Sequence, residues 1–239
     1  MSSLPPKTVT VLSREDWGAD PALPKLGYQV PVEQFVGLIV HHTVMVLNDT
    51  DHDGYSAGDI DDISAYMQRL QVARPDLGLD VPYSFVVFEG LTANDAVIGI
   101  GRGQFRTGAH TAGYNSTAWG VALAGDYTHI EPTPGMLEAI RLIGRWLADP
   151  INAMPTLGHK DTVATACPGA LAYPLLDQVQ PPFTSEDDMT LQDLVNAMGP
   201  SARLHGGFIE IQLVDGNWYK WGDVVRYTHQ EAQAAALKP

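Results

Sequence analysis

The stretch GHKDTVATACPG, residues 158–169, carries the only cysteine of the chain, Cys167, eight residues after His159 and in front of a Pro-Gly turn. A lone thiol closes no internal disulfide. It is either a small buried apolar residue or a thiolate with chemistry to perform. A catalytic zinc site draws three protein ligands from His, Cys and carboxylate and keeps a further position open. The loop could supply an imidazole and a thiolate, and a third ligand would come from elsewhere. The chain has eight histidines, and spacing alone does not choose among them. The competing reading is a buried cysteine beside a solvated histidine.

The elements that would position these groups follow from hydrophobic patterning. FVGLIVHHT (35–43) is a continuous apolar run and reads as a buried strand ending in His41, His42 and Thr43. Successive strand side chains alternate, so His41 and His42 face opposite ways. DIDDISAYMQRL (59–70) sets Ile60, Ile63, Met67 and Leu70 on one helical face, with acids in the first turn. VPYSFVVFEG (81–90) and AWGVALAGDY (118–127) read as strands. PGMLEAIRLIGRWLA (134–148) reads as a helix stopped by Asp149-Pro150. Strands alternating with helices predict an α/β domain built on one central mixed sheet. VQPPFTSEDDMT (179–190) reads as a linker. Beyond it, TLQDLVNAM predicts a helix, FIEIQLVDGNWYKW a hairpin about Asp215-Gly216, and QEAQAAALK a terminal helix. The predicted division is a catalytic domain over 1–183 and a small α+β module over 184–239.

Composition excludes several classes. With 28 Asp+Glu against 14 Lys+Arg and a formal charge of −14, the chain offers no basic stripe for nucleic acid or a membrane surface. No stretch approaches the ~18 consecutive apolar residues of a membrane span. The first residues, MSSLPPKTVTVLSREDWG, lack the charged start and apolar run of a signal peptide, which predicts a product made in a host cytoplasm.

LIVHHTV, VPYSFVVFEG, GRGQFRTGAHTAGYNSTAWGVALAGDY and GHKDTVATACPG, in that order, resemble the type 2 N-acetylmuramoyl-L-alanine amidases, a family that includes phage lytic amidases and the peptidoglycan recognition proteins. The likeness runs from SREDWGAD (13–20) to Leu176. It implies a mixed sheet flanked by helices, and a Zn2+ ion held by His41, His159 and Cys167. It also implies hydrolysis of the amide between N-acetylmuramic acid and L-alanine in bacterial peptidoglycan. Tyr83 matches the family's site tyrosine. Thr165 matches a position where the family has Thr or Lys. His110 and Asn115 match a segment that lines the glycopeptide groove. Arg102 is a candidate for a stem-peptide carboxylate, its fork being suited to bidentate pairing. Asp161 reads as support for His159 or as a loop cap. His52 and His129 read as solvated. Animal recognition proteins usually carry a disulfide and a signal peptide, so this chain resembles the phage or bacterial branch: an endolysin that reaches the wall after release. A wall-degrading particle component anchored through the C-terminal module and a non-catalytic binder are the alternatives. Family members that only bind typically lose the ligand cysteine. Trp218, Tyr219 and Trp221 could stack on sugars of a wall polymer or pack a core.

Overall fold

The computed structural model describes residues 8–31, 34–45, 57–103, 106–147, 155–180, 202–205, 208–212 and 218–220. The chain divides into two compact units, Met1–Thr184 and Ser185–Pro239. In the first, β1 (Val9–Leu12), β2 (Gly37–His42), α1 (Ile60–Val72), β3 (Phe85–Glu89), β4 (Ala96–Ile100), β5 (Ala118–Leu123), α2 (Pro134–Leu147) and β6 (Thr156–Gly158) follow in order. The six strands form one mixed sheet, β1-β4-β3-β5-β2-β6. Only β3–β4 is antiparallel.

The sheet is apolar on both faces because it is covered on both. Val86 and Phe88 of β3 and Val97 of β4 pack with Ile63, Tyr66, Met67 and Leu70 of α1, and with Trp17. Phe85 and Val87, pointing the opposite way along the same strand, are equally buried. Helix α2 lies against β3 and β4 and buries Met136, Ala139, Ile140 and Ile143. The start of α1 is set by Asp59, whose carboxylate accepts the N–H groups of Asp61 and Asp62. Five predicted elements of this unit recur with shorter or shifted bounds. Three strands carry no signal strong enough to predict: β1, β4 and β6.

The predicted linker begins too early. Val179 ends a 3₁₀ turn, Tyr173–Val179, and is buried. The Gln180 side chain accepts the Thr156 N–H at 3.0 Å and so belongs to the sheet edge. In the second unit, β7 (Ala202–His205), β8 (Phe208–Gln212) and β9 (Trp218–Lys220) form an antiparallel sheet. The pairing Gln212↔Trp218 centres on Asp215, the predicted hairpin midpoint. The turn itself, the predicted helices of this unit, Trp221 and His52 lie outside the described residues.

A buried ion cluster ties the N-terminal segment to the sheet. Asp80 accepts Arg14 Nη1 at 2.8 Å and the Val81 N–H at 2.9 Å on Oδ1, and the Leu26 N–H at 2.8 Å on Oδ2. Arg102 Nε lies 3.6 Å from the same Oδ2. Removing Asp80 leaves two guanidinium groups without their carboxylate, one of them in the interior. We expect Asp80→Ala to cost about 3–5 kcal/mol and to lower the melting temperature by roughly 10 °C. Thermal denaturation followed by circular dichroism checks this; a shift below about 2 °C would show the cluster to be dispensable.

Candidate functional site

Strand β2 presents His41 and His42 at its C-terminal end, inside the sheet between β5 and β6. Alternation sends the two rings apart. His42 is held on its own side: its Nδ1 accepts the Tyr127 N–H at 3.3 Å and lies 3.5 Å from an Asp126 oxygen. His159 follows β6 directly, in the 3₁₀ turn His159–Asp161. Lys160 N–H donates to the Cys167 carbonyl at 3.0 Å and closes the loop that carries both groups. Asp161 accepts the Gly158 N–H at 2.8 Å and, on its other oxygen, the Tyr173 hydroxyl. Asp161 is thus a loop cap: it touches the turn that displays His159.

His41, His159 and Cys167 converge, one ligand atom of each lying within 4.8 Å of the others. Cys167 Sγ is 3.7 Å from His41 Nδ1, across 126 residues of sequence. It also accepts the His42 N–H at 3.3 Å. Backbone donation to sulfur favours the thiolate over the thiol. The donor set fits zinc: two imidazoles and a thiolate at separations one ion with bonds of ~2.0–2.3 Å can span. It suits Mg or Ca poorly, since these demand oxygen.

Burial sets the protonation of the cluster. It pushes the Cys167 thiol up to about 11. It holds His41 well below the usual histidine range, aided by the neighbouring charges of His110, His159 and His42, and lowers His159 as well. Near neutrality the cluster without metal is therefore a thiol and neutral imidazoles. Both imidazoles already offer lone pairs, and only the thiol must give up a proton. Zinc binding should release close to one proton per ion between pH 6 and 8, and apparent affinity should rise about tenfold per pH unit there. Calorimetric titrations in buffers of different ionisation enthalpy measure this. Release of two or more protons at pH 6 would mean that the histidines titrate normally.

The Tyr83 ring stands beside His41, with centroids 5.3 Å apart. Burial, and secondarily the charge of Cys167, raise its pKa, so the hydroxyl stays protonated. Thr165 Oγ1 accepts the Cys167 N–H at 3.3 Å and shapes the turn that carries the thiol. Asn115 Oδ1 accepts the N–H groups of His110 and Thr111 at 2.8 and 2.9 Å. The His110 ring turns toward His41, its Nδ1 being 3.1 Å from His41 Nε2. Sequence reasoning missed this contact and that of Thr111, whose Oγ1 is 3.4 Å from the same nitrogen. The Arg102 guanidinium, which neighbours His110, is turned into the interior. It is 4% exposed, and its Nε and Nη1 donate to the Val81 and Thr107 carbonyls, each at 3.1 Å.

No protein-family model matches the chain. Over 177 residues, 71% of its length, it is 35% identical to human N-acetylmuramoyl-L-alanine amidase, of which it covers 28%. It is 30% identical over 170 residues to peptidoglycan-recognition protein 1 of Holotrichia diomphalia, matching 69% of this chain and 77% of that protein. The chain belongs to the N-acetylmuramoyl-L-alanine amidase and peptidoglycan-recognition protein family. Among solved structures it resembles a tyrosine-to-phenylalanine mutant of Drosophila PGRP-LB in complex with tracheal cytotoxin. The TM-score is 0.57 at 26% identity, over 75% of this chain and 96% of that one. The family's fold is the six-stranded mixed sheet described above. The chain spans only about a quarter to a third of the mammalian amidases it matches.

Proposed function

We propose that this protein is a zinc-dependent N-acetylmuramoyl-L-alanine amidase that cuts bacterial peptidoglycan. The observation that carries this reading is the convergence of His41, His159 and Cys167 on one point, from segments far apart in sequence. These three residues would hold the ion. When bound, zinc supplies Lewis acidity toward the scissile carbonyl and toward water. The chain's own groups do the rest. The Tyr83 hydroxyl, kept neutral by burial, is a fixed donor for the carbonyl oxygen as negative charge develops on it. The His42 N–H and the Thr165 hydroxyl hold the Cys167 sulfur and backbone in place. Water adds to the lactyl carbonyl carbon of N-acetylmuramic acid and the C–N bond breaks. The leaving nitrogen takes a proton and departs as the α-amine of L-alanine.

Catalysis is favoured over binding alone because Cys167 stands within reach of both histidines. A phage-type lytic role, with synthesis in a host cytoplasm and action on the wall after release, is supported by the single cysteine, which leaves no internal disulfide to form. We assign the C-terminal unit to docking on a wall polymer or a particle. Digestion of purified wall followed by mass spectrometry tests the whole reading. The expected products are stem peptides with a free L-alanine amine and glycan strands with intact lactyl carboxylates. New reducing sugars, or cleavage within the peptide, would place the protein in another reaction class. A chain ended after Ser185, run in parallel, should still cut soluble muropeptides and should lose retention on intact wall or particle. Unchanged retention would remove docking from that unit.

A further inference from the structure

His110 sits in a slot shaped for a flat ring. A Cβ built on Gly120 would lie 2.6 Å from its Cγ and Cδ2, and one on Gly108 would lie 2.2 Å from Cδ2. Its backbone is pinned by Asn115, which accepts the N–H of His110 and of the next residue. The ring is therefore fixed in place, and its two nitrogens have definite partners. Nε2 is 3.2 Å from the Ala118 carbonyl oxygen. A carbonyl only accepts, so Nε2 carries the proton. In the neutral ring Nδ1 is then an acceptor. It faces His41 Nε2 and the Thr111 hydroxyl, each at 3.1 Å.

That contact leaves one arrangement for His41. With a lone pair on its Nε2, two lone pairs would oppose each other at hydrogen-bond distance. A proton on both nitrogens of His110 would make it an imidazolium, and none of its hydrogen-bond partners, Ala118, Thr111 and His41, is a carboxylate that would stabilise the charge. His41 Nε2 therefore donates. Thr111 Oγ1, within 3.4 Å of the same nitrogen, is compatible as a shared acceptor. The free lone pair of His41 is then on Nδ1, the nitrogen that lies 3.7 Å from Cys167 Sγ.

We propose that His110 is a positioning residue: by accepting the Nε2 proton of His41 it locks that tautomer and directs the Nδ1 lone pair of His41 toward His159 and Cys167. Its use in metal binding rests on the function proposed above, but the relay from Ala118 through His110 to His41 does not. Residues that orient a ligating histidine in this way typically matter 10–100-fold to metal affinity.

The test uses the full chain with 15N-labelled histidine. In metal-free wild type, ring correlation spectra should show a protonated Nε2 and a bare Nδ1 for both His41 and His110. A proton on Nδ1 of His41, or averaging between tautomers, would overturn the proposal. Zinc affinity is then compared across variants. His110→Phe keeps a flat ring in the slot and removes the acceptor; it should weaken zinc binding by ~10–100-fold. His110→Asn returns an oxygen near the position of Nδ1 and should recover most of the loss. Wild-type affinity in His110→Phe would also overturn the proposal. If His110→Phe does not fold, the wild-type spectrum alone decides. If the wild type takes up no zinc, the proposed function fails, and the ring spectrum still supports or refutes the relay.

Discussion

Replacing Cys167 with serine should abolish zinc retention and, with it, wall hydrolysis. Serine has nearly the same shape, so the turn closed by Lys160 N–H and the Cys167 carbonyl is kept. What is lost is the only donor in the cluster that becomes anionic on binding. A hydroxyl does not ionise near neutrality, and a neutral oxygen is a poor third ligand for zinc beside two imidazoles. Structural zinc sites are worth about 10–16 kcal/mol over four ligands. One ligand is then worth a few kcal/mol, and affinity should fall by ~10²-fold or more. Elemental analysis after dialysis, paired with turnover on soluble muropeptides, gives the readout. The fold control is a denaturation curve, which should move by no more than about 1–2 kcal/mol. A Cys167→Ser protein that keeps full metal content and activity would exclude the thiolate from the site. Wild-type protein stripped by a chelator should match the variant and recover when zinc is returned, while the variant should not.

Tyr83→Phe should separate chemistry from metal binding. The ring remains beside His41 and its packing is retained; only the hydroxyl goes. A fixed donor to a developing oxyanion is worth ~10²–10³-fold in turnover, so kcat should fall by ~10²-fold or more with zinc content unchanged. The tyrosine pKa is raised in the fold. Sign matters here: a raised phenol keeps its proton further into the alkaline range, so Tyr83 contributes no loss of activity between pH 7 and 9. An alkaline limb in that range that disappears in Tyr83→Phe would show the phenol ionising and would contradict its role as a standing donor. Full activity in the variant would reduce Tyr83 to packing.

The architecture was readable where it rests on local pattern. The apolar run ending at His41 and His42 is a strand because both of its faces are buried, and such strands announce themselves as continuous hydrophobic segments. Helix α1 was readable from its spacing and from Asp59. Strand β6 was not: three residues acquire strand character only from pairing with β2, across a long stretch of chain. Strand β1 likewise depends on β4. In the site, the motifs bearing His41, His159 and Cys167 were legible, and the alternation of His41 and His42 is a property of any strand. The contact of His110 with His41 was hidden because it joins residues 69 positions apart. The interior surroundings of Arg102 were hidden for a related reason. Arginine is usually exposed, and nothing near it in sequence announces Asp80 as its interior partner.

The sheet order has a consequence for how the protein comes into being. Strand β2 is made early, yet its neighbours on either side, β5 and β6, are synthesised much later, and both pair with it in parallel. His41 is therefore made 126 residues before Cys167. The loop bearing His159 and Cys167 is the last piece of the site to leave the ribosome, and it can dock only after β6 has closed the edge. Parallel pairing across long loops pays its closure entropy before any contact rewards it, so this step is intrinsically slow. A nascent chain thus carries the His41 imidazole before the rest of the His-His-Cys cluster exists, and the cluster is complete only once the loop after β6 has been made.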